Sequence, residues 1–205
     1  MDPLRAAVEP SPHLPNQWRF AMYGRKTLAF ASLVCSLAAG SAALAQSTES
    51  AAPQEVVTKV LEAVQYLNEK GKAGFSEFNA SSGRWMWKDS YVFVYNCAKN
   101  EMLAHPLRPD LVGRPLLQIK DNNNKPIFKE LCAAGAKPRG GWVEYAWPKP
   151  GEGGVSRKIS YAHAADVSFD YGVQAAAGIY NAEMSVEELT NLLNTTLDPE
   201  KYPAH

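Results

Sequence analysis

The chain lacks any excess of charge: its 205 residues carry 21 Lys and Arg against 21 Asp and Glu. A general nucleic-acid binder needs a basic face to neutralise phosphates, so nucleic acid is not an expected partner. Histidine is scarce, at four residues. No HExxH and no paired CxxC occurs, so no metal site is expected. GxSxG, GxGxxG and phosphate-loop patterns are missing as well. Neither an enzymatic role nor a cofactor is therefore expected. Cysteine is limited to Cys35, Cys97 and Cys132. Beyond residue 45 no apolar run approaches the roughly 20 residues that a membrane-spanning helix needs, so the mature form is not expected to be membrane-embedded.

The one long apolar run lies near the start. Residues 1–21 have no periodicity. Arg25 and Lys26 then form a short positive region, and Thr27 to Ala39 are apolar apart from small polar residues. Ala43-Leu44-Ala45 fits the small-x-small pattern before a signal-peptidase cut. The reading is an N-terminal extension and signal peptide over 1–45, cleaved after Ala45, and a single periplasmic or secreted domain over 46–205. Four basic and two acidic residues precede residue 46, so the mature part is slightly acidic. In an oxidising compartment Cys97 and Cys132 either form a disulfide or stay as two buried thiols.

From Gln54 to Glu69 the apolar residues Val56, Val57, Val60, Leu61, Val64 and Leu67 recur at helical spacing. Pro53 suits the first turn, and Gly71 the end. A second short helical piece is expected over Ala73–Phe78. Tyr91 to Tyr95 is apolar on both faces, which predicts a strand covered on both sides. Met102 to His105 is its expected return strand, ended by Pro106. Asn124 is read as the cap of a short helix through Ile127, Phe128, Leu131 and Cys132. Strands are expected over Gly141–Trp147 and Ser156–Ala164, joined by PKPGEGGV, and over Tyr171–Tyr180, where small residues signal close packing. Ser185 with Glu188 forms a capping box before a helix striped by Leu189, Leu192, Leu193 and Leu197. The order predicts an α+β fold: an antiparallel sheet of about five strands, a long N-terminal helix on one face and a C-terminal helix.

The expected hairpin is unusually rich in amphipathic rings. Alternation puts Val143, Tyr145 and Trp147 on one face of the first strand. On the second, Ile159, Tyr161 and His163 share a face, and Lys158 and Ser160 the other. Tyr91, Phe93 and Tyr95 line one face of the earlier strand, and Tyr180 ends the last. If Tyr145, Trp147 and Tyr161 meet in one space, they wall a small-ligand pocket, apolar with a few placed polar groups. The alternative is a packed core. Trp85 and Trp87 either roof such a pocket, with Arg84 as an anion clamp, or close the end of the sheet. Lys158 or Lys149 either supplies a positive charge to such a pocket or is an ordinary surface lysine.

The elements YVFVYN, EMLAHP, DLVGRPLL, KPIFKEL, GGWVEYAWPKP, RKISYA and GIY together resemble the single Cache domain of type two, from about Gln54 to about Leu197. The resemblance implies a PAS-like fold with a pocket on the sheet, and an extracytoplasmic module that binds small organic acids or similar metabolites for chemoreceptors and sensor kinases. It places His105 at the pocket, where protonation at lower pH would strengthen a carboxylate contact; the alternative is a satisfied structural histidine. It sets Cys97 near the short helix that holds Cys132. Such receptors carry a second span and a signalling module after the domain. Here the sequence runs to His205, and the expectation is a free-standing binding protein that presents its ligand to a membrane sensor. A protein-interaction module without a ligand is the alternative.

Overall fold

The computed structural model describes residues 49–168 and 170–196. The proposed signal peptide and Leu197 lie outside the described residues.

Helix α1 runs Pro53–Lys70. The Glu55 carboxylate accepts the Ala52 amide N–H at 2.8 Å, and Gly71 ends the helix at φ 56°. Its stripe of Val56, Val57, Val60, Leu61, Val64 and Leu67 is buried. Each such side chain contributes about 1.5–3 kcal/mol on leaving water, so the stripe, not helix propensity, docks the helix. The second helical piece is a 3₁₀ stretch over Gly71–Asn79.

A two-residue pair, β1 Met86–Trp87 and β2 Ser90–Tyr91, precedes β3 Phe93–Asn96 and β4 Glu101–Ala104. The expected single strand over 91–95 is thus broken at Val92, whose N–H donates to the Trp85 carbonyl at 2.9 Å. Helix α2 follows at Ile127–Gly135, then β5 Gly141–Trp147, β6 Ser156–Ala164, β7 Val173–Tyr180 and α3 Val186–Thr196. Asn124 does not cap α2. It sits at φ 62°, inside a turn that Asp121 organises by accepting the N–H groups of Asn123 and Lys125. Ser185 and Glu188 do form the capping box of α3.

The main sheet is antiparallel, in the order β4-β3-β7-β6-β5. One face packs on α1 and α3, through Val94, Ala175, Ala177, Ile179 and Ile159. The other packs on α2, through Phe93, Tyr95, Tyr145, Trp147 and Ala176. The fold is α+β, as the sequence predicts. Cys97, just after β3, is joined to Cys132 of α2 by a disulfide with Cα atoms 5.8 Å apart. Gln174 of β7 adds a second tie, receiving the Tyr95 hydroxyl proton and donating to the Cys132 carbonyl. The C-terminal half of α2 is therefore fastened to the sheet.

Candidate functional site

The β5–β6–β7 register sets Lys158 directly between Tyr145 and Tyr180. Neighbouring strands lie about 4.8 Å apart, so the three side chains form one row across the sheet. Gly178 makes room for that row, since a Cβ there would stand 2.6 Å from Lys158 Cε and 2.5 Å from Ser160 Oγ. Tyr91, Phe93, His105 and Trp147, with Ile127 and Phe128 of α2, complete its lining. The result is a narrow hollow that in this conformation has no room for a water molecule.

Lys158 is the hollow's one cation, with 1% of its surface exposed. Its ammonium lies over the rings of Tyr91, Tyr180 and Phe93, at 4.1, 4.8 and 5.4 Å from their centroids. Such faces stabilise a cation, but less than a carboxylate does. The ion pairs among the described residues all belong to other cations. Burial lowers the Lys158 pKa, and the Tyr91 hydroxyl and the Asp89 charge act in the opposite sense.

The phenols are neutral donors, because burial pushes the Tyr145 and Tyr180 pKa values up. Trp147 Nε1 donates to Tyr91 Oη at 3.0 Å. Tyr91 lies 3.3 Å from Tyr180 Oη, and Tyr180 donates to the Pro148 carbonyl at 3.0 Å. With one proton per hydroxyl, the chain runs Trp147, Tyr91, Tyr180, Pro148. Tyr145 and Ser160 share a bond of 2.8 Å. That pair holds two protons and needs one, which leaves one donor.

His105 is 2% exposed. Its Nδ1 accepts the backbone N–H groups of Leu107 and Arg108 at 3.2 and 3.0 Å. Both bonds require an unprotonated Nδ1, so the neutral ring carries its proton on Nε2. Burial, with the charges of Lys158 and Arg108, pushes its pKa down to about 3. The expected rise in affinity through His105 protonation at mildly acid pH is corrected here: the ring stays neutral there.

The structure thus brings Tyr91, His105, Tyr145, Trp147, Lys158 and Tyr180 together, and separates three other candidates from them. Tyr161 points to the α1 face, its ring 5.3 Å from Trp142, and donates to the Arg139 carbonyl. Trp85 stacks on Phe78 at 4.6 Å, and Trp87 packs on the same α1-side core. Arg84 is held by Glu77 and lies over Tyr66. The α1 face had apolar area to cover, and these rings cover it. Residues passed over as site candidates are Ser160, Phe93, Ile127 and Phe128; alternation alone puts Ser160 beside Lys158. Outside Tyr91 and Trp147 lies an open cleft of about 450 Å³, which also includes Arg108 and Lys149. Among the described residues, no three His, Cys, Asp or Glu side chains group as a metal site would need, and no helix is long and apolar enough to cross a membrane.

An antiparallel sheet with a hollow on one face and a long helix on the other agrees with a family of sensor domains. The chain belongs to the family described as single Cache domain 2, whose model matches residues 38–188; Cache domains are extracytoplasmic sensor modules. It is 28% identical over 109 residues to methyl-accepting chemotaxis protein McpP of Pseudomonas putida, covering 53% of this chain and 19% of that protein. It is 34% identical over 79 residues to sensor histidine kinase MctS of Rhizobium johnstonii, covering 38% of this chain and 17% of that one. These matches therefore span less than a fifth of either relative. A solved methyl-accepting chemotaxis protein of Vibrio parahaemolyticus shares the fold, with TM-score 0.51 at 21% identity over 62% of this chain and 86% of the other.

Proposed function

We propose that this domain binds a short monocarboxylate, of about two to four carbons, in the hollow between the sheet and α2, as the sensing step of an extracytoplasmic signalling system. The observation that carries the reading is Lys158, a buried ammonium lined by rings, with Asp89 acting on it only from beyond ion-pair distance. A buried charge without an ion-pair partner is costly, and an acid guest supplies a counter-charge in direct contact. The free hydroxyl proton of the Tyr145–Ser160 pair and His105 Nε2–H are neutral donors for the guest's oxygens. Both curated relatives are signalling proteins by name, which supports a sensing role. In this reading nothing is turned over: the cation and the neutral donors hold the guest. Calorimetry and thermal shift of the purified protein against acetate, propionate, pyruvate and succinate test it. An acid at a hundred times its dissociation constant is expected to add about 2.7 kcal/mol. Silence across the panel overturns the reading.

The tightness of the hollow favours one rival, a protein-interaction module that holds no small molecule. That rival predicts capture of a membrane sensor from periplasm whether or not acids are added. The proposed sensor instead presents its ligand to such a partner, and capture depends on the acid. Free-standing export belongs to the same proposal, and release of the native protein by osmotic shock tests it.

A further inference from the structure

We infer that Trp147 sets the longest acid this domain accepts, an inference that rests on the carboxylate reading above. Trp147 and Tyr91 line both the inner hollow and the outer cleft. The bond from Trp147 Nε1 to Tyr91 Oη, 3.0 Å long, closes the partition between them. A guest whose carboxylate meets Lys158 and whose chain runs toward the outer cleft thus meets this indole.

The space beyond the partition has the chemistry of an alkyl site. Met86, Leu107, Pro148 and Pro150 give it apolar walls. Its two cations are already matched. Arg108 gives Nε and Nη2 to Asp110 at 2.8 and 2.7 Å. Lys149 is 2.9 Å from Glu152 and 3.5 Å from Asp89. A second carboxylate would have to displace one of these partners, whereas a methylene chain needs only the walls. Trp147 is also the last residue of β5. The loop after it holds Gly151 and Gly154 at φ 76° and 87°.

The test titrates the full chain and its variants with straight-chain acids from acetate to octanoate, and with adipate. Wild type is expected to bind the short acids and reject hexanoate. Trp147→Ala joins the two spaces, and its hexanoate affinity is expected to rise at least tenfold, with a ceiling of about fourfold per added buried methylene. Trp147→Leu shifts the limit the same way by less, and serves if the alanine variant does not fold. Trp147→Phe loses the N–H but keeps a ring, so its limit stays near wild type; adipate gains nothing. A folded Ala or Leu variant with the wild-type length profile overturns the inference, as does an adipate gain equal to that of hexanoate. Short acids that bind every variant alike, with no change of limit, sink the inference and leave the carboxylate reading standing. Failure of wild type to bind any acid sinks both.

Discussion

Acidification from pH 7 to pH 5 is expected to remove about 2 kcal/mol of stability through His105 alone. In the unfolded chain this ring takes a proton near its ordinary value of 6.5, and in the folded protein only near 3. Below pH 6.5 the unfolded state therefore holds the extra proton, and stability falls as pH drops toward the folded value. The limiting slope is about 1.4 kcal/mol per pH unit, and by pH 5 it has accumulated to the figure above. Against a total of about 5–15 kcal/mol, that is a large share. The assay compares urea unfolding of wild type and His105→Asn at pH 7, 6 and 5. Asparagine carries an acceptor oxygen roughly where Nδ1 stands, so it keeps a partner for the Leu107 and Arg108 N–H groups without a titrating ring. Its packing penalty is the same at every pH, so only the difference in slope counts. Wild type should lose about 2 kcal/mol more than the variant across this range. Parallel curves would refute the argument, because the ring would then titrate alike in both states.

Lys158→Met is expected to abolish acid binding while raising the stability of the empty protein by about 1 kcal/mol or more at neutral pH, which calorimetry and melting curves read together. In wild type, a bound acid favours the charged lysine whose pKa burial has lowered. Acid affinity is therefore expected to hold at lower pH and to fall by about tenfold per unit above the empty protein's Lys158 value, in calorimetry across alkaline buffers. Removing the disulfide as Cys97→Ser with Cys132→Ser opens a cross-link between residues 35 apart in sequence and should cost about 4 kcal/mol in urea unfolding. Gly178→Ala puts a methyl within 2.6 Å of Lys158 Cε, and is expected to weaken acid binding more than tenfold with secondary structure retained by circular dichroism.

The fold was legible where burial imposes a period. The stripe of α1 and the alternation of β5 each follow from one side needing cover, and Ser185 with Glu188 announces α3. The site was half legible. Alternation placed Tyr145 with Trp147, and Lys158 with Ser160, but no residue type says which face of β6 adjoins which face of β5. That depends on the register across residues 148–155, and it sends Tyr161 to the α1 side and Lys158 among the rings. The state of His105 was equally hidden, since it depends on two backbone N–H groups that curl back after Pro106. Asn124 misled because asparagine serves both as a helix cap and at positive φ, and here the turn at Asp121 claims it.

The hydroxyl chain from Trp147 through Tyr91 and Tyr180 to the Pro148 carbonyl has a direction, and direction has a consequence. Every proton in it is already assigned, so a guest that takes one from Tyr91 obliges the oxygens downstream to find another arrangement. The last member lies at the root of the hairpin loop, at the rim of the outer cleft. If an acid binds as proposed, its arrival beside Tyr91 would reach the outer rim through this chain as a changed bond at Pro148.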